Sequence, residues 1–81
     1  MGIISEKIEG KMINVDIQSS NLAKASYDTE AKVLTVTFIS GGIYEYEKVP
    51  WEVFTKFRLS TSHGNFFNKN IAKNYSYKKL K

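Results

Sequence analysis

Apolar and polar positions alternate with period two in Ile13-Asn14-Val15-Asp16-Ile17, the pattern of a strand with one buried face, and the run ends at the turn-forming Ser19-Ser20-Asn21. Leu22 to Tyr27 reads as a second strand, and Asp28-Thr29-Glu30-Ala31-Lys32 as a turn. The strongest strand signal is Val33 to Ile39, which is rich in β-branched residues. After Ser40-Gly41-Gly42 the pattern resumes as Ile43-Tyr44-Glu45-Tyr46-Glu47, which predicts a hairpin.

The register of that hairpin follows from which side chains it must bury, because a slip of one residue turns every side chain to the other face. A two-residue Gly41-Gly42 loop sets Phe38 opposite Glu45 and Val36 opposite Glu47, placing acids on the apolar side. A three-residue Ser40-Gly41-Gly42 loop sets Phe38 opposite Tyr44 and Val36 opposite Tyr46, and leaves Thr37 with Glu45 and Thr35 with Glu47 in water. The second is expected. The same face of the preceding strand takes Ala23, Ala25 and Tyr27.

Helical spacing begins after Val49-Pro50. Pro50 suits a helix start, and Val53, Phe54 and Phe57 fall on one face of a helix over Trp51 to Leu59. Ser60-Thr61-Ser62-His63-Gly64 breaks it, and Ser62 is placed to cap a second helix, Asn65 to Asn74. That helix turns Phe67, Ile71 and Tyr75 to one side and Asn65, Lys69 and Lys73 to the other, and the chain beyond Tyr75 is expected to fray. The fold class is α+β: a small antiparallel β-meander of three to four strands, covered on one face by two C-terminal helices.

With 81 residues there is room for one small core and no second domain. Without cysteine, neither a disulfide framework nor a thiolate metal site can form. The longest apolar runs are a few residues, so no membrane span or secretory signal is expected and the cytoplasm is the default location. Charge is unevenly spread. Residues 1–40 hold four lysines against five acids, whereas from residue 53 onward there are seven bases, Lys56, Arg58, Lys69, Lys73, Lys78, Lys79 and Lys81, and no acid. Such a segment attracts phosphate polyanions, or is simply a solvated helix face with a lysine tail.

The ordered series Ile13-x-Val15, Ser19-Ser20, Tyr27-Asp28, Leu34-x-Val36-x-Phe38, Gly41, Tyr44-x-Tyr46, Val49-Pro50, Ser62-x-Gly64 and Phe67-Asn68 with Ile71 and Tyr75 resembles the KTSC domain. That small module is named for its occurrence at the C-terminus of some lysyl-tRNA synthetases, and it also stands alone in bacterial and phage-type small proteins. The resemblance runs from Met12 to Tyr75, leaving residues 1–11 as an N-terminal extension and 76–81 as a basic tail. Ser60, Phe66 and Ala72 depart from the usual pattern, the last by replacing a frequent Arg. The association with a tRNA synthetase implies RNA as a partner.

Catalytic chemistry has little to build on. His63 is the single imidazole, no serine lies in a nucleophile-elbow or Ser-x-x-Lys setting, and the acids are scattered over strands and turns, so an enzyme, a metal site and a cofactor are not expected. A Walker loop and a dinucleotide fingerprint are absent, and Gly41-Gly42 serves the hairpin. His63-Gly64 before the second helix has two readings. It is an anion site with hydrogen bonds from Ser62, His63 and Asn65 and charge from Arg58 or Lys69, or a capping turn in which Gly64 lets the chain bend. Tyr44 and Tyr46 are base-stacking candidates, although the register assigns both to the covered face. Trp51 is expected partly exposed at the sheet edge, where it would anchor a partner or a second copy. Asn68 reads as structural.

The leading expectation is a non-enzymatic binding module that holds RNA or another phosphate-bearing nucleic acid on its basic two-helix face through Arg58, Lys69, Lys73 and the tail. Two alternatives stay open: a phage-type small protein that sequesters a nucleotide ligand, and a module that regulates a host protein or self-associates through a sheet edge and Trp51.

Overall fold

The computed structural model describes residues 2–81, with side chains from Ser5 onward. Six strands form one antiparallel sheet in strictly sequential order: β1 (Gly2–Glu9), β2 (Met12–Gln18), β3 (Leu22–Asp28), β4 (Val33–Phe38), β5 (Ile43–Tyr46) and β6 (Tyr77–Lys79). Between β5 and β6 the chain forms α1 (Trp51–Leu59) and α2 (His63–Phe66), the latter running on into a π-helical turn over Phe67–Ile71. Alternate residues of the sheet face this helical layer, and Val15, Leu22, Ala25, Tyr27, Leu34, Val36 and Tyr46 share a core with Val49, Phe54, Phe57, Phe67 and Ile71. Tyr27 lies at its centre. Its ring stacks on Phe54, with centroids 4.4 Å apart and planes 8° from parallel, and its buried hydroxyl donates to the Val49 carbonyl at 2.6 Å.

The α+β class and the one-sided helical cover agree with the sequence reading, but the sheet has six strands rather than three or four. Residues 2–9, read as an extension, form β1 and pair with β2 along its length. The tail, read as frayed, forms β6 on β5 and is held by Tyr77, whose ring lies 5.5 Å from those of Tyr44 and Tyr46. Both additional strands lie at sheet edges and carry charges that discourage pairing with another chain, which is why they read as solvated segments.

The hairpin faces are as expected, whereas the pairing is displaced by two residues. Val36 is opposite Tyr44 and Leu34 opposite Tyr46, and the three-residue loop is Ile39-Ser40-Gly41, with Gly41 at φ 103°. The Phe38 N–H donates to the Gly42 carbonyl, so Gly42 already belongs to the ladder. A shift of two preserves which face each residue occupies, and burial therefore could not discriminate the two registers. In β3 the ladder is irregular between Leu22 and Lys24, which displaces Ala23 from the core face and puts Leu22 there.

α1 spans the expected residues. The second helix is shorter than expected: after Phe66 it widens, with the Ala72 N–H reaching the Phe67 carbonyl at 2.9 Å, five residues back. Phe67 and Ile71 are buried as predicted and Tyr75 packs beside them. Ser62 is the N-cap residue, but its hydroxyl does not cap; instead Ser60 Oγ donates to the Ser62 carbonyl and accepts the Ser62 N–H. Among the described residues no helix is long and apolar enough to cross a membrane.

Candidate functional site

Two clefts contain most of the residues singled out by sequence. The first lies where the β2–β3 turn meets the start of α2, a groove of about 340 Å³ lined by Ser19, Ser20, Asn21, Ser62, His63, Gly64, Asn65 and Asn68. Ser62, His63, Gly64 and Asn65 are thus brought together, and Ser19 to Asn21 join them from a turn the sequence reading gave no site role. The turn is organised by Ser19 Oγ, which donates to Asn21 Oδ1 at 3.0 Å and accepts the N–H groups of Asn21 and Leu22. Asn68 is exposed along the groove.

Gly64 is not the residue that lets the chain bend. Its φ is not in the left-handed region, and it is buried within α2. A Cβ at this position would collide with Asn21 Oδ1 and stand 3.3 Å from Ser19 Oγ, so Gly64 is there for close approach of α2 to the turn. His63 is also buried, at 2% exposure. Its Nε2 lies 3.1 Å from the Arg58 carbonyl, which can only accept, so Nε2 carries the proton. The ring stands edge-on to Phe57, and Nδ1 is buried without a partner among the described residues. The imidazole ties α1 to α2 and is not presented to solvent as the anion reading required.

Arg58 is committed elsewhere. Its guanidinium pairs with Glu6 Oε2 at 3.1 Å and lies 5.5 Å from the ring centroids of Trp51 and Phe54. An ion pair across β1 and α1 therefore takes the charge that sequence reasoning assigned to a phosphate. Lys69 is exposed in a smaller cleft with Ser60, Thr61, Ser62 and Asn65, and Lys73 is exposed outside both grooves. Trp51 is 44% exposed at the first turn of α1, against Tyr27 and Phe54.

The second cleft, about 480 Å³, opens at the same end of the sheet, between the β4–β5 turn and β6. Phe38, Gly41, Gly42, Tyr44, Tyr46, Lys79 and Lys81 line it. Here the two tyrosines diverge. Tyr46 is a core residue at 4% exposure, with its ring edge-on to Phe67, and burial raises its phenol pKa above the ordinary value, helped by Tyr77 and Tyr44. Tyr44 is half-buried, edge-on to Phe38, with Lys79 Nζ 6.0 Å above its ring centroid. The sequence reading missed Lys79 and Lys81 as partners of Tyr44. The signal was present in Tyr77-x-Lys79, a period-two pair like Tyr44-x-Tyr46, but the flanking lysines read as a tail.

Residues 18–75 match the KTSC domain family. An uncharacterized protein of Stutzerimonas stutzeri is 44% identical over 57 residues, which is 70% of this chain and 80% of that protein. The lysine–tRNA ligase of Nostoc punctiforme is 35% identical over 63 residues, 78% of this chain but 11% of the ligase. The chain thus spans about a tenth of the length of the ligases it matches. Among solved structures, the KTSC domain protein of Yersinia pestis superposes with a TM-score of 0.81 at 27% identity, covering 86% of this chain and 99% of that one. On the match of residues 18–75, the chain belongs to the KTSC domain family, a small module that occurs both within lysine–tRNA ligases and as proteins close to its own size.

Proposed function

We propose that this domain is a non-enzymatic module that binds RNA, with phosphate contacts as the main source of affinity. The observation that carries the reading is the state of the basic residues beyond position 53. Of the seven, Arg58 is paired with Glu6, while Lys56, Lys69, Lys73, Lys78, Lys79 and Lys81 are exposed and make no ion pair among the described residues. Six lysine ammonium groups without carboxylate partners are free to neutralise phosphates, and the release of the cations condensed along the polyphosphate is the driving force such binding exploits. The similarity to lysine–tRNA ligases, whose name states a tRNA substrate, supports the same partner class.

The reading is tested by the salt dependence of binding to a fluorescein-labelled single-stranded RNA. Affinity is expected to fall by orders of magnitude between about 50 and 200 mM salt if six or more phosphates are engaged, with little sequence preference. Lys69→Glu with Lys73→Glu should reduce both affinity and the salt slope. Binding that is constant over this salt range, or absent at the lowest salt, overturns the reading.

A further inference from the structure

We propose that the cleft between the β4–β5 turn and β6 is a nucleotide subsite for single-stranded RNA, in which one unstacked base lies against the Tyr44 ring while Lys79 and Lys81 hold the flanking phosphates. The inference rests on the RNA reading above and goes beyond it by requiring a base, and not only a phosphate chain, to be bound.

Aromatic support comes first. Phe38, Tyr44, Tyr77, Tyr46 and Phe67 form a closed ring of neighbours, each centroid 5.3 to 5.6 Å from the next. Phe67 projects from the helical layer into the core and fixes the ring of residues there, whereas Tyr44, half-buried, carries it outward to the cleft and Tyr77 supports it from β6. Tyr44 is thereby held rigidly, edge-on to Phe38, without being covered. Rigid, half-exposed aromatic surfaces are what single-strand binders use to receive bases.

The Tyr44 ring is already occupied by a cation. Lys79 Nζ lies 6.0 Å from its centroid, at the outer limit of a cation–π contact and exposed to water. A base stacked on the same ring forms a stronger contact than an exposed lysine does, so the exchange is favourable, and the displaced ammonium moves to the phosphate attached to that base. Lys81 lines the same cleft, and neither lysine has a carboxylate partner among the described residues.

Space is provided by glycine. Gly41 adopts a left-handed φ of 103°, and Gly42 presents no side chain toward Tyr44: a Cβ there would lie 3.4 Å from Tyr44 Cε1. A larger residue at position 42 would therefore encroach on the cleft. Its volume, about 480 Å³, falls within the usual range for small-molecule sites, roughly 300 to 1,000 Å³. Because bases in a duplex remain stacked on each other, the occupant is a single strand.

The test uses the full chain with four probes at one low salt concentration: labelled ten-nucleotide oligouridylate, an abasic oligomer of the same length, a duplex of that length, and free uridine monophosphate. Oligouridylate is expected to bind about tenfold more tightly than the abasic oligomer. Tyr44→Leu and Gly42→Leu should abolish that difference, with the abasic oligomer still bound in a salt-dependent manner through the lysines outside the cleft. Gly42 has no left-handed φ, so its replacement does not strain the turn. Backbone amide shifts in the unsubstituted protein should move at Gly41, Gly42, Tyr44 and Lys79, independently of any variant. Equal binding of oligouridylate and abasic oligomer, or amide shifts confined to the helices, overturns the subsite and leaves the phosphate-driven reading standing. Uridine monophosphate binding as tightly as the oligomer, or duplex binding as tightly as the single strand, overturns the single-strand occupant. No binding by any probe overturns both proposals.

Discussion

Glu6 on β1 accepts a 3.1 Å hydrogen bond from Arg58 on α1, joining the first strand to the helical layer through an ion pair in which the arginine side chain is 19% exposed. Glu6 sits opposite Val15, which is buried, so the acid occupies a core-side position at the sheet edge and reaches over to the helix. The Arg58 guanidinium also lies over Trp51 and Phe54. Replacing Glu6 with Gln removes the charge pair but keeps an acceptor, and the loss in unfolding free energy should be about 1 kcal/mol or less, since Glu6 is substantially solvated. Urea denaturation of Glu6→Gln, Arg58→Met and the double variant measures the coupling. A coupling of zero would mean that β1 is held by its backbone ladder alone.

Tyr27→Phe should be more costly. The hydroxyl donates to the buried Val49 carbonyl at 2.6 Å, and its removal leaves that acceptor unsatisfied beneath α1. A loss of about 1 to 3 kcal/mol is expected, with the ring still stacked on Phe54. Equilibrium unfolding and near-ultraviolet circular dichroism check the magnitude and the retained packing together.

Gly64→Ala should destabilise by about 1 to 3 kcal/mol, because the new methyl meets Asn21 Oδ1 and Ser19 Oγ instead of open space. In an Asn21→Ala background the same substitution should cost clearly less, giving a non-additive pair. Additivity of the two changes would show that the α2 start and the β2–β3 turn relax independently.

Stability should decline at both ends of the pH scale. Burial, and secondarily the charge of Asp28, raises the Tyr27 pKa above the ordinary 10.0, and burial raises that of Tyr46. The folded state therefore disfavours the phenolates: this contribution is fully present below about pH 10 and is lost as pH rises through the folded-state values. Asp28 behaves oppositely. Its carboxylate accepts the N–H groups of Ala31 and Glu30, with Ala31 the larger effect, and faces Lys11, so its pKa is lowered from the ordinary 3.8 despite partial desolvation. Its contribution is present above that value and lost as pH falls through the lower folded-state value. Urea midpoints measured across pH should show the alkaline decline softened by Tyr27→Phe and the acid decline softened by Asp28→Ala.

β6 should protect particular amides. The Ile43 N–H donates to the Lys81 carbonyl at 3.0 Å and the Glu47 N–H to the Ser76 carbonyl at 2.9 Å. Both should exchange slowly with deuterium in the unsubstituted protein, and Tyr77→Ser, which removes the ring held against Tyr44 and Tyr46, should speed them by at least tenfold while leaving β2 and β3 amides unchanged. Equal rates in both proteins would show that the backbone ladder holds β6 without Tyr77.

Local pattern was sufficient for β2 to β5, for α1 and, apart from the irregular start of β3 where Leu22 replaces Ala23, for the face presented, because burial imposes period two on strands and a helical stripe on α1, and both are written directly in residue order. Pairing partners were not determined in the same way. Val36 opposite Tyr44 and Val36 opposite Tyr46 bury the same side chains, and only the turn geometry around Gly41 separates them. The edge strands were concealed by their own charges, since β1 and β6 each have a neighbour on one side and carry acids or lysines that alternation alone does not register as strand. The candidate sites divide along the same line. Arg58 and His63 have the residue types an anion site calls for, yet long-range packing gave one to Glu6 and two rings and buried the other against Phe57. Conversely, Tyr44 and Lys79 are thirty-five residues apart, and it is the closing strand β6 that sets them opposite each other in the ladder. What the residues alone determined was therefore periodicity, face and net charge, all local or additive properties; which charges remain free and which aromatic ring stays open depended on contacts between distant segments, which only tertiary packing creates.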